Sequence, residues 1–299
     1  MSQRHYSTEQ VMMTLCAMAY EENTHRFDAL LQSKEYATNA EWTVVWGPAT
    51  SDLTAFSMFV AEHAQSGELA IIIRGSVLSL EEPIQSLIDW VDDLDVFTLK
   101  KFTDDPALGH ISSGSYSAFH HLENMWDPKT KLSLLEYLKS RSPQQITISG
   151  HSLGGMLTSV LTAWLRSKLS EQKIRAYSFA APTAGDGQFA ENVGSVDYYQ
   201  FWNEWDFVPQ GFAETSMLEA IKWYPTPGTT MNLAEKILID GMVALRPRPN
   251  PYTQPAGLGI MIPGQIRPKT SFAAQLAHQH NPNTYLALME APQIKFSRS

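Results

Sequence analysis

The chemistry of this chain concentrates in the decapeptide Ile146 to Gly155, which reads I-T-I-S-G-H-S-L-G-G. A β-branched, apolar run ends there in a G-x-S-x-G pentapeptide centred on Ser152. An apolar stripe at helical spacing follows, through Met156, Leu157, Val160, Leu161, Trp164, Leu165 and Leu169. A serine in that setting sits on a sharp strand-to-helix turn, with its hydroxyl presented at the top of a sheet. Gly150 and Gly154 are required because a Cβ at either position would collide with the neighbouring strand and helix. The helix behind Ser152 aims free N–H groups and a partial positive charge at any oxyanion formed there. This is a site suited to acyl transfer through a serine nucleophile. Three fixed positions recur by chance in chains of this size, so the strand before and the helix after give the motif its weight.

A serine nucleophile needs a base to take its proton, and the base needs an acid to hold its tautomer. On a strand–turn–helix site of this kind the chain order is Ser, then Asp or Glu, then His. Asp206 follows the predicted strand Tyr198 to Trp202 within a few residues, at the carboxyl end where parallel sheets place their sites. Trp205, Phe207 and Val208 enclose it, so it is expected to be partly desolvated. Glu204 and Asp186 are weaker alternatives, and Asp240 closes what reads as an ordinary helix end. Downstream of Asp206 the histidines are His278 and His280, and one of them is the expected base. As a metal clip the pair falls short, since no cysteine or third histidine stands near. His110, His120, His121 and His151 read as structural, with His151 turned away from Ser152. The expected oxyanion donors are the backbone N–H of Leu153 and Ser76, with N–H and hydroxyl, in the loop after the strand ending at Ile73.

The elements that must position these residues alternate. A capping box, Ser7-Thr8-Glu9-Gln10, opens a helix over about residues 8–23. Trp42 to Trp46 and Phe56 to Ala61 read as a strand hairpin divided by the turn-rich Gly47-Pro48-Ala49-Thr50-Ser51-Asp52. Leu69 to Ile73 is a continuous apolar run, as a strand buried on both faces requires. Helices are expected over 83–96, 114–126 and 131–141, and strands over 145–148, 173–179, 198–202 and 257–262. A last helical segment covers 271–289. This alternation predicts a mostly parallel sheet with helices on both faces. Residues 211–256 form an irregular excursion, since Arg246-Pro247-Arg248-Pro249-Asn250-Pro251 cannot be helical. Without a linker-like stretch, the 299 residues are expected to fold as one domain.

Composition limits the partners. The 22 Lys and Arg against 31 Asp and Glu give a net charge of −9, which argues against nucleic acid and against charge anchoring on anionic lipid. The lone Cys16 excludes an internal disulfide. No run reaches transmembrane length. Val11 to Ala19 has a signal-peptide flavour, but Glu9 and the capping box favour a helix of the folded protein, hence a cytoplasmic or leaderless secreted chain.

With these pieces placed, the chain resembles the class 3 lipases, the fungal-lipase-like α/β hydrolases. The resemblance runs through Ile71-Ile72-Ile73-Arg74-Gly75-Ser76, then Asp89 to Asp95, then Gly109 to Tyr116. It continues through Gly150 to Gly155, Ser178 to Pro182 and Asn203 to Pro209. His280 ahead of Tyr285 resembles the family's closing His-to-Tyr element, which selects His280 over His278. The resemblance implies an α/β-hydrolase fold and hydrolysis of triacylglycerol or another carboxylic ester, with Ser152, Asp206 and His280 as the triad and no metal or organic cofactor. It also implies a lid at about residues 77–90, whose apolar side chains would cover the site in water and turn toward a lipid interface. Two departures stand out: the family's disulfides are impossible here, and Ser115 stands where a phenylalanine is usual. Phospholipase, acyltransferase or short-chain esterase chemistry would use the same machinery. A lipid- or partner-binding protein that no longer turns over is the alternative of another kind.

Overall fold

The computed structural model describes residues 5–51, 56–75, 95, 98–194, 197–210, 229–230, 233, 252–255, 257–267 and 270–296. In chain order the strands are β1 (Trp42–Thr50), β2 (Ser57–His63), β3 (Leu69–Arg74), β4 (Leu99–Lys101), β5 (His110–Ser112) and β6 (Gln145–His151). They continue with β7 (Lys173–Phe179), β8 (Asp197–Asn203), β9 (Thr229–Thr230), β10 (Leu258–Ile262) and β11 (Thr270–Ser271). Seven of them form one sheet in the order β1-β2-β3-β6-β7-β8-β10. β1, β2 and β3 are joined antiparallel, and every pairing from β3 to β10 is parallel. Helices cover both faces, which gives the mostly parallel layered sheet that the alternation of elements implies and the α/β-hydrolase architecture that the resemblance implies.

The period of two along the strands divides the interior into two cores. Met58 and Val60 of β2, with Leu69, Ile71 and Ile73 of β3, point to one face. There they meet α3 (Ser113–Glu123), α4 (Leu134–Arg141), α5 (Leu153–Lys168) and α6 (Gly187–Gly194). Phe59, Ala61, Ala70 and Ile72 point to the other, against α1 (Thr8–Met18) and α2 (Thr24–Leu31). The same second core takes in α8 (Pro282–Leu288) through Tyr285 and Leu286. α5 is buried from Leu153 through Leu165, all the way round. Its polar members stay paired: the Thr158 and Thr162 hydroxyls donate to carbonyls one turn back, at 2.9 and 2.6 Å. No helix among the described residues is long and apolar enough to cross a membrane.

Three boundaries differ from the sequence expectation, each for a local reason. β1 runs through the Gly47-Pro48 pair to Thr50, its register shifting on both sides of Trp46. The Gly47 N–H leaves the ladder for Asp127 Oδ1 at 2.8 Å, and the Trp46 indole donates to the Leu132 carbonyl at 2.9 Å. The bulged edge is thereby tied to the loop that covers it. The first helix has the capping box of Ser7 and Gln10 but stops at Met18, and Asn23 caps a second helix. The C-terminal segment is two helices, α7 (Phe272–Gln279) and α8, because Asn281 caps a new start with Pro282 in its first turn.

Candidate active site

The parallel strands end together, and the site is built on those ends. β6 delivers Ser152 at φ 62° and ψ −128°, a backbone conformation that L residues rarely hold. What over-determines it is on both sides. The Ser152 N–H donates to the Phe179 carbonyl of β7 at 2.9 Å, and α5 starts at the next residue. The flanking glycines are obligatory as the sequence implies: a Cβ on Gly150 would run into the Gly154 carbonyl, and one on Gly154 into the Ile73 carbonyl. Leu153 opens α5, so its N–H is one of the first-turn donors without an intrahelical acceptor.

Asp206 lies three residues beyond β8, in a turn closed by its own N–H to the Asn203 carbonyl at 2.9 Å. It is fully buried, and its carboxylate is nonetheless saturated. Oδ1 accepts the Val208 N–H at 3.0 Å, while Oδ2 lies 2.8 Å from His280 Nδ1 and accepts the Tyr285 hydroxyl at 2.7 Å. His280 caps the end of α7, where the break at Asn281-Pro282 lets its ring turn in toward the strand ends. Its Nε2 lies 2.7 Å from Ser152 Oγ. A carboxylate can only accept, so Nδ1 carries the proton and Nε2 is the lone pair facing the serine hydroxyl. Ser152, His280 and Asp206 thus form one continuous line, with exposures of 4%, 2% and 0%.

A second set of buried groups holds that line in place. The Asn203 N–H donates to the Tyr285 hydroxyl oxygen at 3.0 Å, and its side-chain amide donates to the Gln279 carbonyl at 3.0 Å and to Gln279 Oε1 at 2.5 Å. The end of β8 is therefore tied to the residue just before His280. Sequence reasoning gave Tyr285 no role beyond its spacing from His280 and Asn203 none beyond its place in the resemblance, and it missed Gln279. The apolar run up to Trp202 followed by a polar Asn203 was the available signal.

The other residues weighed from sequence go elsewhere. His278 sits outside the line, 3.2 Å from the Thr284 hydroxyl, with burial and then Arg267 holding its pKa down. Asp186 pairs with His110 at 2.9 Å and caps the Phe189 N–H. Glu204 accepts the Gly264 N–H at 3.3 Å. His120 reaches Glu123, and His121 stacks on Phe56. His151 is more intimate with the site than a structural residue turned away from Ser152. Its buried ring lies 4.8 Å from that of His280 and 5.4 Å from that of Tyr285, and burial, then the nearby His280, hold its pKa well below the usual imidazole value. Ser76, Asp240, the lid stretch 77–90 and most of the excursion 211–256 lie outside the described residues. Among the described residues no three His, Cys, Asp or Glu side chains converge as a metal site would.

Comparison with known proteins places this geometry. The family model for class 3 lipases matches residues 70–215, a span that starts one residue into β3, holds Ser152 and Asp206 and ends before His280. The chain is 26% identical over 186 residues to a lipase of Rhizomucor miehei, covering 57% of this chain and 47% of that one. It is 27% identical over 112 residues to Protein EDS1 of Arabidopsis thaliana, 34% of this chain and 18% of that one. The chain thus spans less than half the length of the curated relatives it matches. The crystal structure of M37 lipase superposes over 95% of this chain and 94% of its own, with a TM-score of 0.79 at 25% identity. Fold, strand-end geometry and matched sequence agree: over residues 70–215 the chain matches the class 3 lipases, on an α/β-hydrolase fold like that of M37 lipase.

Proposed function

We propose that the protein hydrolyses carboxylic esters, acylglycerols foremost, through an acyl-enzyme on Ser152. The observation that carries this reading is the unbroken line from Ser152 Oγ through His280 to Asp206 Oδ2, at 2.7 and 2.8 Å. In the first half-reaction His280 Nε2 takes the Ser152 proton as Oγ attacks the ester carbonyl. The negative charge moves to the carbonyl oxygen, where the Leu153 N–H and Ser76 donate to it. As the tetrahedral intermediate collapses, the carbon–alkoxy bond breaks and His280 gives its proton to the departing alcohol. Water then repeats the sequence on the acyl-enzyme, releasing the carboxylic acid and restoring the Ser152 hydroxyl. Asp206 stays ionised throughout and stabilises the imidazolium formed twice per cycle.

The acylglycerol assignment is supported by the family and by the burial of the site. Ser152 is only 4% exposed, so an ester enters through a narrow opening or displaces a cover. The apolar stretch 77–90 is proposed as that cover, withdrawn at a lipid surface. The test is the initial rate across 4-nitrophenyl esters from acetate to palmitate, with emulsified triacylglycerol and Ser152→Ala alongside. Serine-dependent rates that extend to long chains and to emulsion are expected. Activity confined to short soluble esters would limit the function to an esterase, and turnover that survives Ser152→Ala would remove the mechanism.

A further inference from the structure

We infer that Tyr20 is a positioning residue: it pins the turn that leads to the oxyanion donors against the strand end that carries Ser152. The inference rests on the serine-hydrolase reading above and adds a residue that neither the motif nor the triad includes.

Tyr20 stands two residues beyond α1, on a helix that cannot readily shift. Met12 to Met18 are buried without a break, and the Gln10 amide is fastened to the Met289 carbonyl at 2.6 Å. From that anchor the phenolic oxygen reaches the junction between the ends of β3 and β6. It lies 3.0 Å from His151 Nδ1 and 3.4 Å from the His151 carbonyl, and the backbone of Gly75 hydrogen-bonds to the same oxygen. The fit is close on every side. A Cβ on Gly75 would stand 2.7 Å from the Tyr20 oxygen and 3.1 Å from Ser152 Cβ.

The phenol oxygen is saturated by these groups. The backbone group that Gly75 brings to this contact is its N–H, which uses an acceptor site of the phenol oxygen. The hydroxyl proton has two His151 acceptors within reach, the carbonyl and the ring nitrogen Nδ1. The His151 ring is itself wedged against that of His280. Burial and the neighbouring His280 keep that imidazole neutral. One hydroxyl therefore ties the residue before Ser76, the residue before Ser152 and the ring behind the base. In a tetrahedral intermediate the proposed donors that follow the first two, on Ser76 and Leu153, must converge on one oxygen, and an error of about 1 Å there is costly in rate.

Tyr20→Phe removes the hydroxyl and keeps the ring. We expect kcat for a soluble 4-nitrophenyl ester to fall roughly tenfold with KM little changed, by the rate cost of misplaced donors. Affinity for a trifluoromethyl ketone, which forms the tetrahedral adduct, is expected to fall by the same factor as kcat/KM. Rates are taken per site titrated with a fluorophosphonate, so molecules that fail to fold are not counted. His151→Leu removes the same bond from the other end and is expected to reproduce the loss. A Tyr20→Phe protein with a lower melting temperature but unchanged kcat per titrated site and unchanged ketone affinity overturns the inference, since a purely structural tyrosine would behave so. A wild-type protein whose Ser152 neither titrates nor turns over overturns the underlying hydrolase reading first, and this inference with it.

Discussion

The hydroxyl of Tyr285 donates to Asp206 Oδ2 at 2.7 Å, the oxygen that His280 Nδ1 also reaches at 2.8 Å. The same phenol oxygen accepts the Asn203 N–H at 3.0 Å. One side chain from α8 thus joins the acid to the end of the strand that carries it. The arrangement fixes which lone pair of Oδ2 is left for the imidazole, and so the plane in which His280 lies.

Tyr285→Phe should therefore act on stability and rate together. It leaves the buried Asn203 N–H without its acceptor and Asp206 short of one donor, which costs on the order of 1–3 kcal/mol. Urea unfolding reads that loss. The accompanying kcat is expected to drop several-fold, because Asp206 is held by Val208 alone on its far oxygen.

Asp206→Asn and Asp186→Asn should behave in opposite ways. An amide at position 206 can present an N–H to His280 Nδ1, which stabilises the tautomer with its proton on Nε2 and blocks proton uptake from Ser152. A fall of about 10⁴ in kcat is the scale known for such a change in a serine triad. Asp186 serves His110 and the Phe189 N–H, so its asparagine variant is expected to keep an unchanged kcat. Parallel rates on one soluble ester decide the matter, and the reverse ranking would reassign the acid.

His151 predicts how stability responds to acid. Its folded pKa lies well below 6.5, the value the unfolded chain is expected to have. Between those two values the unfolded state binds a proton that the native state refuses, so unfolding is favoured as pH falls. The contribution is complete above about pH 7 and is lost progressively below about 6.5. Urea midpoints measured across that range should slope downward toward acid in the wild type, and less steeply in His151→Leu.

Much of this was legible from residues alone, for identifiable reasons. The strand–Gly-His-Ser-Leu-Gly–helix sequence can fold in few ways, because Gly150 and Gly154 are each pressed against backbone. Asp206 was legible from its place after a strand. His280 and His278 could not be separated by chemistry, since both follow Asp206 and stand two apart. The resemblance favoured His280, and the geometry shows why the pair differ: α7 ends at that residue, leaving His278 on the outer side toward Thr284. The contacts of Tyr20, Asn203 and Gln279 were illegible because they join segments separated by scores of residues. The continuation of β1 past Gly47-Pro48 was missed because the partner of the Gly47 N–H is a side chain far along the chain, Asp127.

Gly154→Ala tests the steric half of the motif. The added methyl would meet the Ile73 carbonyl and come within 2.9 Å of the Gly75 nitrogen. Both contacts are backbone, so the β3 end or α5 must shift. A loss of at least 1–3 kcal/mol, about the cost of overpacking, is expected in thermal or urea unfolding, with activity falling further as the oxyanion turn moves.

The central claim is that His280, held by Asp206, makes the Ser152 oxygen a nucleophile. Intact mass spectrometry after exposure to a fluorophosphonate tests it most directly, with peptide mapping of the adduct. A single phosphonyl adduct on Ser152, formed rapidly in the wild type, slowly in His280→Ala and not at all in Ser152→Ala, is the predicted result. An unmodified wild type, or labelling that proceeds equally well without His280, would contradict the account.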